Sequence, residues 1–275
     1  MENTADISIM GCGWLGLPLA EKLVQNGFRV KGSTTTAAKL DVLQEKQIKP
    51  YLIHLDEDYL DEEQLASFLD TKVLVLNIPP RIRSGQGDQL LPKLLRLRKA
   101  MLESPVSRVL FVSSTAVYLD LNRIVKEEDI HFTEEQEPDN ILLQAERVFQ
   151  DREDWVTTIV RFGGLVGENR QPGRFMAGKV NLPDGDAPVN LIHLDDCLAI
   201  LYRILEQDLW GCTYNACADE HPLRKDFYTQ AARAIGATPP TFLDMEATRF
   251  KRINSDRLKQ DLAYNFLHPD PMLFF

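Results

Sequence analysis

The sequence reads Gly11-Cys12-Gly13-Trp14-Leu15-Gly16 directly after the apolar run 7–10 and directly before a stretch with helical periodicity. This spacing fits G-x-G-x-x-G, in which a strand turns sharply into a helix. The first glycine permits the tight turn, the second lets the backbone approach a pyrophosphate, and the third allows close packing of helix on strand. We therefore predict that residues 11–16 bind a dinucleotide at the helix N-terminus. A plain strand-to-helix turn is the simpler alternative.

Short apolar runs alternate with segments of helical period through the first 160 residues. This order is typical of parallel β-α-β units with right-handed crossovers, so we predict an α/β protein with a doubly wound parallel sheet of the Rossmann type. The predicted strands of this sheet are residues 7–11, 28–32, 49–55, 72–77, 108–113 and 155–162. The predicted helices between them are residues 15–25, 38–45, 62–69, 89–103 and 140–151.

The composition changes after residue 163, where Gly, Pro, Asn and Arg are frequent as far as residue 188. We predict loops there and expect them to meet a substrate. Regular structure then returns, with predicted strands at 189–193 and 213–217 and predicted helices at 195–205 and 225–235. We expect a dinucleotide-binding domain and a smaller substrate lobe. The domain comprises residues 1–164 with 189–218 returning to it, and the lobe comprises 165–188 and 219–275.

The formal net charge of −10 argues against nucleic acid and anionic membranes as partners, because the overall field repels phosphate-rich surfaces. No stretch reaches the roughly 18 to 20 apolar residues of a membrane span. The apolar run 7–20 is preceded by Glu2 and Asp6, where a signal peptide would carry Lys or Arg. We therefore expect a cytoplasmic protein that acts on a small-molecule substrate.

The chain has four cysteines, without a C-x-x-C pair and without clustered histidines in the sequence. This pattern favours reduced, buried thiols over a disulfide scaffold or a zinc site. We predict no metal site.

The segment after the second strand reads Ser33-Thr34-Thr35-Thr36, and no acid follows until Asp41. An acid here would bind the 2′-hydroxyl of NAD and repel the 2′-phosphate of NADP, whereas hydroxyls accept a phosphate. The cofactor is therefore NADP or NAD, with NADP favoured and Ser33, Thr34 and Thr35 as contacts. The same run also fits a helix N-cap. Lys31, Lys39, Arg81 and Arg83 are the basic residues that could reach a phosphate.

The fourth strand ends in Asn77-Ile78-Pro79, beside the expected adenine and ribose. We predict these three residues as cofactor contacts. Simple termination of the strand by proline is the alternative.

The fifth strand and its end, residues 109–118, read VLFVSSTAVY. Two later segments follow, RFGGLVG at 161–167, after the sixth predicted strand, and NLIHLDD at 190–196. With these segments the chain resembles the extended short-chain dehydrogenase/reductases, the NAD-dependent epimerase/dehydratase family. The glycine turn, Pro172-Gly173-Arg174-Phe175 and Tyr214-Asn215 resemble the YeeZ-type bacterial subgroup. Family members often dimerise through the helices that correspond to 89–103 and 140–151, so a homodimer is one expectation.

The resemblance implies that Ser114 hydrogen-bonds the reacting oxygen of the substrate, with Thr115 as a helper. A local backbone contact of Ser114 is the alternative. The family also uses a Tyr-x-x-x-Lys pair on the next helix, but Asn140 and Gln144 stand at these positions. Glutamine can bond ribose hydroxyls, so we predict Gln144 as a cofactor contact, whereas asparagine cannot donate a proton near neutral pH. Tyr118 is the nearest alternative acid, although in the family the tyrosine at this position usually has a packing role.

Arg174 lies in the loop that the family places over its substrate. Its guanidinium could grip a phosphate or a carboxylate, and a surface salt bridge is the competing interpretation. For Asn190 and His193 we expect a structural role, and for Asp195 the N-cap of a helix. We expect an atypical NAD(P)-binding oxidoreductase or epimerase/dehydratase-like enzyme. The alternative is an NADP(H)-binding sensor with little or no catalysis, because the Tyr-x-x-x-Lys pair is missing.

Overall fold

The structure is a computed structural model, and it describes residues 6–56, 59–79, 87–130, 140–150, 152–244 and 248–275. Arg81 and Arg83 lie outside these ranges. The predicted α/β fold with a doubly wound sheet is confirmed.

Seven strands form the central sheet, in the order β10-β7-β5-β4-β1-β2-β3. The pairs from β3 to β5 run parallel. β4 is buried along its whole length, as expected for a strand covered by helices on both faces. The strand bounds are β1 Asp6–Met10, β2 Arg29–Thr34, β3 Lys49–Leu52, β4 Val73–Leu76, β5 Arg108–Ser114, β7 Val156–Phe162 and β10 Thr213–Ala216.

Four further strands form two small parallel sheets. β6 (Arg123–Val125) pairs with β11 (Lys251–Ile253), and β8 (Gly164–Val166) pairs with β9 (Leu191–His193). The strand predicted at 189–193 therefore exists as β9, but it pairs outside the central sheet. The expectation of six strands in the central sheet is wrong, because the later strand β10 extends it.

The helices follow the predicted pattern with small shifts at their ends. α4 shows the reason, because its residues Leu90, Leu94, Leu97 and Met101 recur on one buried face. The helix bounds are α1 Gly16–Gln25, α2 Leu40–Glu45, α3 Glu62–Leu69, α4 Leu90–Met101, α5 Ile141–Phe149, α6 Gly173–Met176, α7 Leu194–Glu206, α8 Arg224–Ala234 and α9 Asp256–Asp261. Among the described helices, none combines the length and the apolar character needed to cross a bilayer.

The chain divides into two compact units. Unit 1 comprises the described residues of Met1–Ser113, Thr133–Val160 and Leu201–Thr213, and unit 2 comprises those of Ser114–Phe132, Arg161–Ile200 and Tyr214–Phe275. The core of unit 1 is built by the inner strands together with α3, α4 and α5. The predicted division into a nucleotide-binding domain and a substrate lobe is a functional one, and it stays a prediction.

Candidate functional site

The glycine turn lies between β1 and α1, and two of its glycines are required by the fold. Gly11 has a φ of +103°, and a Cβ atom there would lie 2.4 Å from the carbonyl oxygen of Asn77. A Cβ atom on Gly16 would lie 2.2 Å from the carbonyl oxygen of Gly11. Both positions therefore exclude any side chain, one by conformation and contact, the other by close packing of helix on strand.

Gly13 differs from the other two glycines of the turn. It is exposed, and a Cβ atom there would meet nothing within 4 Å in the described part of the chain. Its φ lies outside the left-handed region. Neither packing nor conformation therefore explains the glycine, whereas a ligand that must approach the backbone closely would explain it.

Ser33, at the end of β2, holds the turn in place. Its hydroxyl accepts a hydrogen bond from the Gly11 N–H at 3.1 Å and donates to the sulfur of Met10 at 3.3 Å. Its carbonyl oxygen accepts from the Cys12 N–H at 2.8 Å. Ser33 is buried, so its hydroxyl supports the turn and does not face an external phosphate.

The other predicted contacts on β2 and β4 divide in the same way. Thr34 is buried and its hydroxyl accepts from the Thr36 N–H, whereas Thr35 is exposed. The side-chain amide of Asn77 donates to the Gly11 carbonyl at 3.0 Å, which makes it part of the frame. Ile78 packs against the core of unit 1, and Pro79 is exposed.

The remaining residues of the turn complete this picture. Cys12 and Leu15 are buried, and Trp14 is half-buried. Burial raises the pKa of the Cys12 thiol to about 12, so it stays protonated, while the nearby charge of Lys39 acts weakly in the other direction. At the start of α1, no described side chain caps the helix and no acid occurs in its first turn. This terminus therefore suits an anion.

Helix α5 carries the positions at which the family places Tyr and Lys. Asn140 caps it, because its side-chain oxygen accepts from the Leu143 N–H at 3.3 Å. Glu146 is fully buried and accepts from the Ser113 hydroxyl at 2.5 Å, which ties α5 to the carboxyl end of β5. Gln144 is half-buried and two residues away, so it points about 200° around the helix from Glu146. The role of Gln144 as a cofactor contact stays a prediction.

Ser114 begins unit 2 and precedes a 3-10 turn, Thr115–Val117. Its hydroxyl oxygen accepts from the Ala116 N–H at 3.2 Å, so the local backbone contact considered above exists. A hydroxyl also donates one hydrogen bond, which leaves Ser114 able to bind a substrate oxygen. Ser114 is half-buried, and Thr115 is buried.

Tyr118 belongs to a closed polar network in unit 2. Its hydroxyl donates to the side-chain oxygen of Asn215 at 2.7 Å and accepts from the guanidinium of Arg161 at 2.8 Å. Burial raises the pKa of Tyr118 to about 12, against the opposing effect of Arg161. Tyr118 is therefore a poor proton donor for an external substrate. Its buried and hydrogen-bonded position agrees with the packing role that the resemblance implies.

Glu127 extends this network. Its carboxylate accepts from the Asn215 N–H at 2.7 Å, and burial raises the pKa of Glu127. The side-chain nitrogen of Asn215 is buried and has no hydrogen-bond partner among the described residues. The sequence did not reveal this network, since its members come from distant segments of the chain.

Arg174 lies on α6 and is exposed. The described part of the chain offers its guanidinium no ionic partner, so the salt bridge considered above is not formed there. Asn190 has the expected structural role, because its side chain accepts from the Ile253 N–H and donates to the Lys251 carbonyl, both at 2.9 Å.

The expectation that Asp195 is the N-cap of its helix is wrong. α7 begins at Leu194, and Asp195 lies in its first turn. The preceding His193 takes the capping position, with its Nδ1 atom 3.3 Å from the Asp195 N–H. Burial, and then the nearby His268, lower the pKa of His193. His268 joins the other two residues in a cluster that sequence reasoning missed.

Comparison with known proteins shows which solved structures share the fold of this chain. No protein-family model matches the chain. UDP-glucuronic acid 4-epimerase from Bacillus cereus, solved with UDP-glucuronic acid and NAD, is 17% identical with a TM-score of 0.76, covering 98% of this chain and 96% of that one. A functionally unknown conserved protein from Silicibacter pomeroyi is 21% identical with a TM-score of 0.72, covering 98% and 96%. The chain therefore shares the fold of these two proteins, and its sequence segments resemble those of the extended short-chain dehydrogenase/reductases.

Within this class, a second comparison identifies the family. The chain is 36% identical over 277 residues to protein YeeZ of Escherichia coli K12, and the match covers 97% of each chain. The chain belongs to the YeeZ family, which confirms the resemblance seen in the sequence.

Proposed function

We propose that unit 1 binds NADP or NAD, with the pyrophosphate against the glycine turn at the start of α1. The observation that carries this proposal is Gly13, an exposed glycine for which neither its backbone conformation nor its surroundings give a reason. The fixed positions of Gly11 and Gly16 support it, because they hold the turn rigid around this open position. A cofactor of this kind supplies hydride transfer, and the contribution of unit 1 is to bind and orient it.

NADP is the preferred form in this proposal. No acid stands between Ser33 and Leu40, and the exposed residues of this segment include Thr35, Thr36 and Lys39. A hydroxyl and an ammonium group suit a 2′-phosphate, whereas nothing in this segment would repel it. Ser33 and Thr34 are not part of this preference, since their hydroxyls serve the backbone.

The proposed reaction is that of an atypical oxidoreductase or epimerase/dehydratase-like enzyme on a small polar substrate. The Ser114 hydroxyl would donate a hydrogen bond to the reacting oxygen of the substrate. Arg174 would bind an anionic group of the substrate. The epimerase from Bacillus cereus, solved with UDP-glucuronic acid and NAD, supports a substrate of this kind. The reaction is atypical because Asn140, which caps α5, replaces the proton-donating tyrosine of the family.

The binding step is tested by titrating the purified protein with NADPH and NADH and recording nicotinamide fluorescence. We expect saturable binding of both, with NADPH tighter. Tighter binding of NADH than of NADPH would contradict the preference for NADP. If neither nucleotide bound, the proposal as a whole would be contradicted.

The catalytic step is tested by turnover on a panel of nucleotide sugars and small hydroxy and keto acids. We expect Ser114→Ala to lower turnover about 100-fold, the usual loss for one donor to a developing charge. Ser104→Ala is the matched control, because its hydroxyl bonds only neighbouring backbone groups, the Met101 carbonyl and the Val106 N–H, and the change should leave turnover unchanged. Unchanged turnover in Ser114→Ala would remove that residue from the mechanism.

Binding without turnover on the panel would instead favour the second candidate, a nucleotide-binding protein with little or no catalysis. The observation that favours it is the makeup of α5, where Asn140 and Gln144 replace Tyr and Lys and the buried Glu146 is engaged by Ser113.

A further inference from the structure

Three potential metal ligands meet in unit 2, outside the residues assigned above to the nucleotide or the substrate. His193 ends β9, Asp195 lies in the first turn of α7, and His268 follows α9. One ligand atom from each lies within 4.8 Å of the others. The Oδ2 atom of Asp195 is 2.9 Å from Nε2 of His268 and 3.3 Å from Nδ1 of His193.

The two separations from Asp195 suit ligands that share one ion. Imidazole nitrogen and carboxylate oxygen bind zinc at about 2.0–2.2 Å, so two neighbouring ligands of one ion lie about 2.9–3.5 Å apart. Both distances to Asp195 fall in this range. The two imidazole nitrogens lie within 4.8 Å of each other and would have to approach further to share the ion.

The surroundings hold the three ligands in place. The carboxylate of Asp196 is fully buried and accepts from the Tyr264 hydroxyl at 2.6 Å, the Leu267 N–H at 2.7 Å and the His268 N–H at 3.1 Å. It therefore anchors the main chain of His268 to the helix that carries Asp195. Such outer contacts orient the ligands of metal sites.

The ring of Phe274 lies against both imidazoles, with ring centroids 5.5 Å from His193 and 6.2 Å from His268. This apolar contact covers one side of the cluster. The side chain of Asp195 is 54% exposed, so the other side is open to solvent. The cluster is therefore covered by Phe274 on one side and accessible to solvent on the side of Asp195.

The hydrogen bond at the start of α7 suits the same use. Nδ1 of His193 can accept the Asp195 N–H only when this nitrogen carries no proton. The lone pair of that tautomer is used by the Asp195 N–H, so a metal ion would have to replace this hydrogen bond. At 3.3 Å the bond is long and easily replaced.

We propose that His193, Asp195 and His268 bind one divalent transition-metal cation, such as Zn²⁺ or Co²⁺, with at least one coordination position left to water. Two imidazoles and one carboxylate favour these cations over Mg²⁺ and Ca²⁺, which prefer oxygen ligands alone. The site does not depend on nucleotide binding in unit 1. This proposal departs from the prediction of no metal site, which rested on the lack of clustered histidines in the sequence and did not foresee His268 beside His193.

The experiment uses the full chain after treatment with a chelator. Co²⁺ is titrated and its visible absorption recorded, and Zn²⁺ affinity is measured by competition with a chromophoric chelator. We expect one equivalent of metal, which excess Mg²⁺ does not displace. His268→Gln and Asp195→Asn should each weaken Zn²⁺ binding at least about 10-fold. His54→Ala, a histidine of unit 1, is the control and should bind as the parent chain does.

Three results would overturn the proposal. The first is the absence of stoichiometric binding to the parent chain, which needs no variant and so does not depend on variant folding. The second is equal affinity in the His268→Gln, Asp195→Asn and His54→Ala proteins. The third is a thiolate-to-cobalt charge-transfer band, which would assign the metal to a cysteine such as the half-buried Cys212.

Discussion

The glycine turn of unit 1 and the polar network of unit 2 differ in how far their groups are exposed to solvent and to a ligand. In the turn, contacts from Ser33 and Asn77 fix the backbone, and Gly13 is exposed, with no described atom within 4 Å of where its Cβ atom would lie. In the network, Tyr118 and Arg161 are buried and bond to their own neighbours. The turn leaves a surface for a ligand, whereas the network is buried and, apart from the side-chain nitrogen of Asn215, bonded within itself among the described residues. Residues that stand in the motifs of one family therefore need not share a role.

The largest effect should come from opening the closed network. Arg161→Met keeps much of the volume but removes the donor to the Tyr118 hydroxyl, and Arg161 is only 2% exposed. We expect a loss of about 3 kcal/mol in the free energy of unfolding, because the Tyr118 hydroxyl oxygen remains buried without its charged donor. Urea unfolding followed by circular dichroism measures this. Arg174→Met, at an exposed position, is the control and should change stability by less than about 0.5 kcal/mol. Equal losses in the two variants would show that the network is not closed.

A second effect follows from the pKa of Tyr118, raised by burial from 10.0 to about 12. Between these two values the unfolded chain has lost the phenolic proton while the folded chain keeps it. The contribution to stability is therefore complete below pH 10 and is lost as the pH rises through 12. It amounts to about 2–3 kcal/mol at most. Urea unfolding at several pH values should show this decline in the parent chain and a shallower one in Tyr118→Phe. Identical slopes would place the hydroxyl in contact with solvent.

A smaller effect concerns the open turn and its choice of cofactor. Lys39→Ala should weaken NADPH binding about 5- to 10-fold and leave NADH unchanged, because an exposed charge contact contributes roughly 1 kcal/mol. Fluorescence titration with both nucleotides measures the ratio. Lys46→Ala is the matched control, since Lys46 pairs with Glu21 at 2.9 Å. A similar loss for NADH would mean that Lys39 does not distinguish the 2′-phosphate.

Local patterns explain why so much of the fold was predictable from the sequence. The period of α4 and the apolar runs of the inner strands are set by neighbours a few residues away, and their ends moved by only a few residues. The glycine turn was equally visible, because strand, turn and helix follow one another directly. The correct family also followed from short segments near strand ends.

Contacts between distant segments explain what the sequence did not reveal. His268 lies 73 positions after Asp195, and Glu146 lies 33 positions after Ser113. Neither spacing has a local signature. The hydroxyl of Ser33 was predicted to face the cofactor, but only the structure shows that it bonds the backbone of the turn. Side-chain direction at a strand end depends on what packs there, and composition does not encode it.

Gly13→Val tests the central claim most directly, with NADPH affinity measured by calorimetry and stability measured by urea unfolding on the same preparation. Gly13 is exposed and a Cβ atom there meets no described atom within 4 Å, so the variant should fold with little change in stability. Its branched side chain would occupy the space of the pyrophosphate, and we expect NADPH affinity to fall at least about 100-fold. A folded Gly13→Val protein that binds NADPH as tightly as the parent chain would contradict the account.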